Sequence, residues 1–311
     1  MFFTQVRNIH GIILLDKPTG ISSNKALQIT KKIFEIKKAG HTGSLDPLAT
    51  GILPICLGEA TKFAEYLIKS DKKYRVIAKL GEETSTADSY GKIINSYKIQ
   101  FNSKEYKLAL DNFRGVISQT PPIYSAIKYK GIPLYKYARK GISVPIGSRF
   151  INVYKIKSLY IKENIIELDI LCSSGTYIRS IINDLGKLLK CGAHVIFLRR
   201  IKISSFSSSL SITLDQLNFL KKKYFKNNFK IFLNKIKNFF IPILSLFPHF
   251  PKVYVSKQNL LFLKNGRSIK LINKLNPCLV CIINKNKKFI GIGKLNKKNY
   301  LFPHKLINFY K

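Results

Sequence analysis

Acidic residues are scarce in this sequence. The chain of 311 residues has 16 aspartates and glutamates against 54 lysines and arginines, which gives a formal net charge of +38. A surface with such an excess of positive charge is best explained by a polyanionic partner, and nucleic acid is the first candidate. The alternative is compositional drift, because lysine, asparagine, isoleucine and phenylalanine crowd the chain. The sign of the charge therefore guides the functional hypothesis more than its size does.

Long apolar runs are also missing. The sequence has no stretch of about eighteen uninterrupted apolar residues, the length that would indicate a transmembrane helix. Its first residues lack the layout of a signal peptide, in which cations precede an apolar run. The five cysteines are odd in number and lie mostly in apolar runs, which argues against a disulfide framework. We therefore expect a cytoplasmic protein with reduced cysteines and no membrane partner.

Two cysteines have a spacing found in metal sites. Cys278 and Cys281 are separated by two residues, as in half of a zinc site. No second pair of Cys or His follows nearby, and residues 279–283 are apolar enough for a buried strand. We therefore favour the strand and expect no metal.

One carboxylate, Asp46, is displayed in an unusual segment over residues 41–51. Pro47 forbids a helix through this position, while Gly43 and Gly51 permit sharp turns and close approach of a large ligand. Two interpretations are compatible with this pattern: Asp46 caps a short helix that begins at Pro47, or it is a catalytic carboxylate in an active-site loop. The segment alone favours neither.

Hydrophobic periodicity predicts the elements around that segment. Alternation indicates strands over residues 11–15, 74–80 and 166–172. Helical spacing indicates helices that begin after Ser22 or Ser23, that span residues 59–68, and that carry a core stripe from Ile178 to Leu189. Strands and helices alternate without a strict repeat, so the predicted fold class is α+β with a mixed sheet.

Three further segments differ in composition. Residues 119–145 are rich in Pro, Tyr, Lys and Gly, which suits an excursion that contacts nucleic acid, although tyrosines packed under a long loop would look the same. Residues 217–240 are almost wholly Lys, Asn, Phe, Ile and Leu, and prolines follow. A domain junction is expected near Pro248, with a small β-rich domain after it.

Four motifs in register resemble the bacterial TruB family of tRNA pseudouridine synthases. They lie at residues 40–51, 74–76, 175–179 and 192–200. The resemblance runs from Gly11 to about Phe206 and resumes at residues 262–266 and 289–293. It implies a pseudouridine synthase-type mixed-sheet catalytic domain over residues 1–247 with an inserted thumb at 119–145, and a PUA-like RNA-binding domain over 248–311. Within the first domain, the lysine-rich segment 207–247 departs from the family pattern.

The resemblance also implies an activity. Such enzymes isomerise uridine-55 in the T-arm loop of tRNA to pseudouridine after flipping the base out of the loop, and they need no cofactor. The expected partner of this chain is the T arm of tRNA, bound by a monomer without an obligate protein partner.

By the same resemblance Asp46 is the catalytic carboxylate. It must be ionised inside a site closed over a base, where burial raises a carboxylate pKa, so a neighbouring cation is required. Arg179 is the candidate, because a guanidinium stays charged and grips a carboxylate bidentately. Without the resemblance, Arg179 would be read as a surface ion pair at a helix end. Lys17 and Pro18 match a motif expected to support the catalytic loop, with direct RNA contact as the second choice.

Other residues match the family's substrate contacts. Tyr74 and Leu198 correspond to walls of the uracil pocket, where a tyrosine can stack on the base and relay the C5 proton; the plain alternative for Tyr74 is an ordinary strand aromatic. Tyr177 corresponds to a further substrate contact. His41 resembles a residue that fills space among the loop bases without acting as a general base.

Three competing functions were weighed. A nucleoside hydrolase or glycosidase would also use Asp46, but such enzymes need a second carboxylate, and none stands out near these motifs. A non-catalytic protein that helps tRNA to fold would explain the charge and the RNA-binding domains. The third possibility is a synthase that works with guide RNA and partner proteins. The complete thumb at residues 119–145 favours instead a chain that binds its substrate unaided.

The charge generates a first prediction. RNA affinity should fall steeply as salt rises, with a slope of log K against log[salt] of about 0.7–0.9 per phosphate neutralised and several phosphates involved. A fluorescence titration of a T-arm transcript at several salt concentrations measures this slope. A flat dependence between low and moderate salt would contradict the assignment of a basic RNA-binding surface.

Overall fold

The computed structural model describes residues 9–225, 229–272 and 276–308. Within these residues the α-helices are α1 Ser23–Phe34, α2 Ala64–Ile68, α3 Ser103–Asp111, α4 Leu134–Arg139, α5 Ile178–Leu188, α6 Leu214–Leu220, α7 Phe229–Ile236 and α8 Lys257–Lys264. The strands are β1 Gly11–Lys17, β2 Ala39–His41, β3 Thr50–Leu57, β4 Lys72–Leu80, β5 Glu82–Thr84, β6 Ile93–Ser96, β7 Gly115–Gln119, β8 Lys128–Tyr129, β9 Ile132–Pro133, β10 Arg149–Lys162, β11 Ile165–Cys172, β12 Ala193–Ile203, β13 Phe206–Ser207, β14 Ile212–Thr213, β15 Phe240–Ile241, β16 Lys252–Val255, β17 Ile269–Lys270, β18 Leu279–Asn284, β19 Phe289–Leu295 and β20 Tyr300–Leu306.

A mixed sheet of eleven strands organises the larger part of the chain. Its main path runs β14-β1-β3-β12-β4-β11-β10-β7, with β2, β13 and β15 attached at its flanks. The pairs β1–β14 and β3–β12 are parallel, and the others are antiparallel. The predicted α+β fold with a mixed sheet is confirmed. Because β4 lies beside β12, Tyr74 is paired with Arg200 and Val76 with Leu198.

The alternation in β4 and β11 places one face of each strand in the core, as predicted. Tyr74, Val76, Ala78 and Leu80 are buried, and so are the alternate residues from Ile166 to Cys172. Helix α1 begins after Ser22, whose side chain accepts a hydrogen bond from the backbone N–H of Lys25, and it packs its apolar face onto the same core. Period-2 patterning was therefore sufficient to orient the central strands.

Three local predictions are wrong. No helix begins at Pro47: residues 46–49 form a turn closed by a hydrogen bond from the N–H of Ala49 to the carbonyl of Asp46, so Asp46 does not cap a helix. The predicted helix over 59–68 is a 3₁₀ helix, Gly58–Phe63, followed by α2; the backbone departs from helical geometry at Phe63, whose ring lies in an aromatic cluster. Leu188 ends α5 and is 51% exposed rather than part of the core stripe.

The two compositionally unusual segments are ordered where described. Residues 119–145 contain the β8–β9 hairpin and α4. The lysine-rich segment forms α6, a π-helical turn at Lys221–Phe225, and α7. The ring of Phe232 packs on Phe34 at 5.7 Å and on Phe225 at 5.3 Å, so the aromatic residues of this segment anchor it to α1. Residues 226–228 lie outside the described residues.

A second sheet, β16-β18-β19-β20-β17, forms the β-rich C-terminal unit with α8. The predicted strand over residues 279–283 is present as β18, Cys281 is buried in it, and the five cysteines are free. Helix α8 was not predicted. The domain limits at residues 247 and 248, and the thumb limits at 119 and 145, stay predictions.

An aromatic cluster joins the C-terminal unit to the catalytic part. Phe247 lies 5.9 Å from Phe63, 4.7 Å from Tyr66 and 5.9 Å from Phe289, measured between ring centroids. The Nζ of Lys62 donates to the carbonyl of Leu306 at 2.7 Å beside it. The two sheets therefore share one hydrophobic cluster rather than being connected by a bare linker. Among the described helices, none has the length and apolarity needed to span a bilayer.

This cluster generates a stability prediction. Phe247→Ala should lower the free energy of unfolding by roughly 3–5 kcal/mol, because it removes a buried ring from a packed site. Phe150→Ala is the matched control: Phe150 is 80% exposed, and its loss should change the free energy of unfolding by less than about 0.5 kcal/mol. Urea unfolding of both variants measures the difference. Equal effects would show that the Phe247 cluster does not hold the two units together.

Candidate active site

The Asp46 loop connects β2 to β3 and is held on both sides of its carboxylate. The hydroxyl of Ser23, the first residue of α1, accepts from the N–H of Leu45 at 2.7 Å and lies 3.0 Å from the carbonyl of Leu45. On the other side, the N–H of Gly20 donates to the carbonyl of Pro47 at 2.9 Å. The backbone around Asp46 is therefore fixed by contacts to the turn and helix that follow β1.

Lys17 completes this support from inside the protein. Its side chain is fully buried, and its Nζ donates to the carbonyls of Pro18 and Ile21 at 2.7 Å each and to that of Pro47 at 3.4 Å. Burial lowers the pKa of Lys17 to about 8, while Asp46 opposes that change. Lys17 and the Pro18 carbonyl thus brace the loop, in the arrangement that the supporting role would require.

Asp46 is paired with Arg179. The Nη2 of Arg179 donates to Asp46 Oδ1 at 3.1 Å, and its Nε lies 2.9 Å from Oδ2. The Asp46 side chain is 32% exposed, whereas that of Arg179 is only 3% exposed. The surrounding protein raises the pKa of the Asp46 carboxyl by burial, and Arg179 acts against this change. The Asp46 carboxylate is accessible from a cleft, whereas the Arg179 guanidinium that carries the opposite charge is buried.

Arg179 is itself held by two other chain segments, one containing Thr86 and Asp88 and the other containing Tyr124. Its Nη1 donates to the carbonyl of Thr86 at 2.9 Å, and its Nη2 donates to that of Tyr124 at 2.8 Å. The buried carboxylate of Asp88 lies 3.5 Å from Nη1 and accepts from the Thr86 hydroxyl at 2.6 Å. The guanidinium is therefore fixed in orientation before any ligand binds, and it presents one edge to Asp46.

A cleft of about 380 Å³ opens over Asp46. Tyr74, Tyr177 and Leu198 are among its lining residues, so three of the predicted substrate contacts converge on the predicted catalytic residue. Burial raises the pKa of the Tyr74 phenol, which keeps it protonated, and the adjacent Arg200 guanidinium opposes that change. A larger groove of about 800 Å³ lies between α3 and β10, but Asp46 is not in its lining.

His41 lies at the end of β2, outside the lining of the cleft. Its Nδ1 is buried and has no hydrogen-bond partner among the described residues. Burial, with a contribution from Arg200, lowers the pKa of its imidazole and favours the neutral ring. A neutral ring suits stacking and hydrogen bonding better than charge neutralisation.

Sequence reasoning missed several residues of the cleft. Arg200 is buried, donates through Nε to the carbonyl of Ile52 at 2.8 Å and through Nη2 to that of Gly43 at 3.2 Å, and so ties β3 to the catalytic loop. Asp88, Lys72 and Arg149 were also missed. The local sequence offered no signal that separates these residues from solvated surface charges, because charged side chains in or beside strands are mostly exposed.

The arrangement suits covalent or electrostatic chemistry by a single carboxylate on a flat ligand. No group of three or more His, Cys, Asp or Glu side chains able to hold a metal is present in the described ranges. Asp46 faces an aromatic and aliphatic pocket, and buried cations surround the pocket floor. A flat ligand fits between the aromatic and aliphatic walls of this pocket, with the carboxylate beside it.

Solved structures with the same fold define the class of protein. The chain is similar to a structure described as a Cbf5-Nop10-Gar1 complex, with a TM-score of 0.67 and 25% identity over 93% of this chain and 79% of that one. An H/ACA RNP bound to a substrate RNA containing 2'-deoxyuridine gives a TM-score of 0.68 and 23% identity over 96% and 85% of the two chains. The fold is that of the pseudouridine synthases.

Three family models cover most of the chain. Residues 31–178 match the TruB family pseudouridylate synthase (N terminal domain), residues 179–240 the tRNA pseudouridylate synthase B C-terminal domain, and residues 251–307 the Pseudouridine synthase II TruB, C-terminal. The second match extends through residues 217–240. The expected departure of residues 207–247 from the family pattern stays a prediction. The predicted PUA-like C-terminal unit is confirmed as a family feature.

Curated relatives agree with these models over nearly the full length. The tRNA pseudouridine synthase B of Buchnera aphidicola subsp. Acyrthosiphon pisum is 48% identical over 309 residues, which cover 99% of each chain. That of Photorhabdus laumondii is 46% identical over 306 residues, 97% of this chain and 96% of the relative. The chain belongs to the TruB family of pseudouridylate synthases.

The Asp46–Arg179 pair generates a pH prediction. Arg179→Met removes the charge that opposes the effect of burial, so the pKa of Asp46 should rise further, by about one unit or more. Since the ionised carboxylate is the reactive form, the acid limb of kcat/KM against pH should move to higher pH by the same amount. Arg179→Lys keeps a charge and should move it less. An unmoved limb in a folded Arg179→Met variant would contradict this role.

Proposed function

We propose that the chain is a tRNA pseudouridine synthase that isomerises uridine-55 in the T-arm loop to pseudouridine. The observation that carries the proposal is the pairing of Asp46 with Arg179 at the floor of a cleft walled by Tyr74 and Leu198. The curated relatives are named tRNA pseudouridine synthase B, which supports tRNA as the substrate.

The reaction breaks the bond from ribose C1′ to uracil N1, turns the base and forms a bond from C1′ to C5. The hydrogen at C5 leaves as a proton and N1 gains one, so the reaction balances without an oxidant, a reductant or an added group. Asp46 serves by attacking C1′, by adding to the base, or by assisting elimination to a glycal, and each route uses the ionised carboxylate. Arg179 keeps that carboxylate charged inside a closed site.

The target base must leave the RNA stack to reach Asp46. The carboxylate lies within the cleft rather than on a flat surface, and a base inside a folded loop cannot place its C1′ there. Once flipped, the uracil ring would stack on the Tyr74 ring and contact the Leu198 side chain. In this proposal the Tyr74 hydroxyl relays the C5 proton.

The chain is proposed to act without an obligate protein partner. Its bacterial relatives are each named as a synthase, whereas the similar solved structure is a complex that contains Nop10 and Gar1. The hairpin and helix within residues 119–145 and the basic C-terminal unit supply RNA-binding surface in the chain itself. A monomer with its own substrate grip is the simplest arrangement that fits these features.

Asp46→Asn tests the proposal. The change removes the charge but keeps the shape, so isomerisation should be lost while the Kd for a T-arm transcript stays within about a factor of ten, because phosphate contacts elsewhere supply most of the affinity. Tritium release from C5-labelled uridine, followed by mapping of the modified position, measures the activity.

The matched control is Asp111→Asn, which alters an exposed carboxylate paired with Arg114 far from the cleft and should leave tritium release unchanged. Release by the wild type that maps to the T loop, with none from a folded Asp46→Asn variant, is the expected result. A wild-type protein that binds the transcript tightly and releases no tritium would instead be an RNA-binding protein without this activity.

A further inference from the structure

Three cations line the Asp46 cleft, and two of them are occupied by backbone carbonyls. Lys72 donates through Nζ to the carbonyls of Leu67, Ile68 and Ser70. Arg200 spans β3 and the catalytic loop through its two carbonyl contacts. The third cation, Arg149, differs from both because it donates a hydrogen bond to one carbonyl only among the described residues, that of Gly175.

Arg149 is held in place but not neutralised. Its Nη2 donates to the carbonyl of Gly175, and its Cζ lies 5.0 Å from the centroid of the Tyr177 ring. Its Nε is buried without a hydrogen-bond partner, and no carboxylate of residues 9–225, 229–272 or 276–308 forms an ion pair with it. The guanidinium therefore lies at the wall of the cleft as a fixed cation that lacks a counter-ion.

Support of the neighbouring loop does not account for this cation. Gln119, which pairs with Arg149 in the sheet, already holds the backbone of Tyr177: its Oε1 accepts from the Tyr177 N–H at 2.8 Å, and its Nε2 donates to the Tyr177 carbonyl at 3.0 Å. A neutral side chain thus fixes the loop. The Nη1 of Arg149 also has no hydrogen-bond partner within the described residues. A charged donor left unpaired costs free energy, so a cleft lined by such a guanidinium suits an anionic ligand.

We propose that Arg149 binds a phosphate group adjoining the target uridine and so fixes the flipped nucleotide over Asp46. This inference rests on the proposed function, since it presumes an RNA substrate in the cleft. A planar guanidinium matches the oxygens of a phosphate, and a phosphodiester is the one anion that every flipped nucleotide carries with it. The contact with the Tyr177 ring and the hydrogen bond to the Gly175 carbonyl restrict the orientation of the guanidinium.

A second polar atom without a partner in the same cleft is further support for a ligand-binding site. The hydroxyl of Ser125 is buried, lines the cleft and has no hydrogen-bond partner in the described part of the chain. Two polar groups left open in one cleft fit a ligand that offers both charge and hydrogen-bonding edges. A nucleotide has this combination, with the phosphate directed to Arg149.

The test combines protein variants with neutral phosphates. Single methylphosphonate linkages are placed on either side of the target uridine in a T-arm RNA, and Kd is measured for wild type, Arg149→Met, Arg149→Lys and the control Arg114→Met. Arg114 is exposed and paired with Asp111 at 2.7 Å, outside the cleft. Melting temperatures establish that each variant is folded; Arg149→Gln, which keeps a donor for Gly175, replaces Arg149→Met if the latter does not fold.

For wild type, one flanking methylphosphonate should weaken binding by about 10- to 100-fold, the size expected for a lost charge-assisted hydrogen bond. Arg149→Met should lose the same factor on unmodified RNA, lose nothing more at that linkage, and show a salt slope smaller by about 0.7. The Kd of Arg149→Lys for unmodified RNA should lie between those of wild type and Arg149→Met. Arg114→Met should lose as much affinity at the methylphosphonate linkage as wild type does.

If Arg149→Met stays as sensitive as wild type at each flanking linkage, the phosphate assignment is overturned, and the guanidinium then contacts the base edge or only supports the fold. Failure of the proposed function is distinguishable, because it would show as absence of wild-type pseudouridine formation in the same transcript. The binding comparison does not depend on that activity.

Discussion

The ion pair between Asp46 and Arg179 joins segments that are far apart in the chain. Arg179 lies at the start of α5, Asp46 in the loop before β3, and the other contacts of the guanidinium come from the backbone at Thr86 and Tyr124. A buried guanidinium without these partners would cost several kcal/mol. The loops that build the cleft are therefore tied to one another by the need to satisfy a single charge, and the Asp46 carboxylate, the proposed catalytic group, is positioned as a result.

The buried cations near the cleft support the Asp46 loop and also make the floor of the cleft electropositive. Lys17 and Arg200 are buried and donate to carbonyls of the Asp46 loop and its neighbours, so they stiffen that loop, and the charge of Lys17 also acts on Asp46. The resulting electropositive floor favours an anionic ligand and offsets the effect of burial on Asp46. Lys17 and Arg200 thus support the loop through their hydrogen bonds and favour an anionic ligand through their charges. Arg149 extends the pattern to the rim of the cleft.

Prediction from the sequence succeeded where a local pattern was enough. The alternation over residues 74–80 and 166–172 assigned both the strands and their buried faces, because one face of a sheet must be apolar. It failed where long-range packing overrides local preference. The predicted helix is interrupted at Phe63, whose ring packs against that of Phe247, a residue distant in sequence. No local pattern contains that partner.

The residues of the candidate site also separate into those that local sequence or family motifs indicated and those that only the tertiary structure revealed. Residues 41–51 marked Asp46 as an exposed carboxylate, because Pro47 and the flanking glycines exclude a helix there, but they left a capping and a catalytic role equally open. The family motifs extended this to Tyr74, Arg179 and Leu198. Arg200 and Arg149 could not be assigned, because a charged residue in a strand is equally consistent with a solvated surface. Folding brings their guanidinium groups beside a carbonyl, a ring and an open cleft, and that spatial arrangement gives the charges their roles.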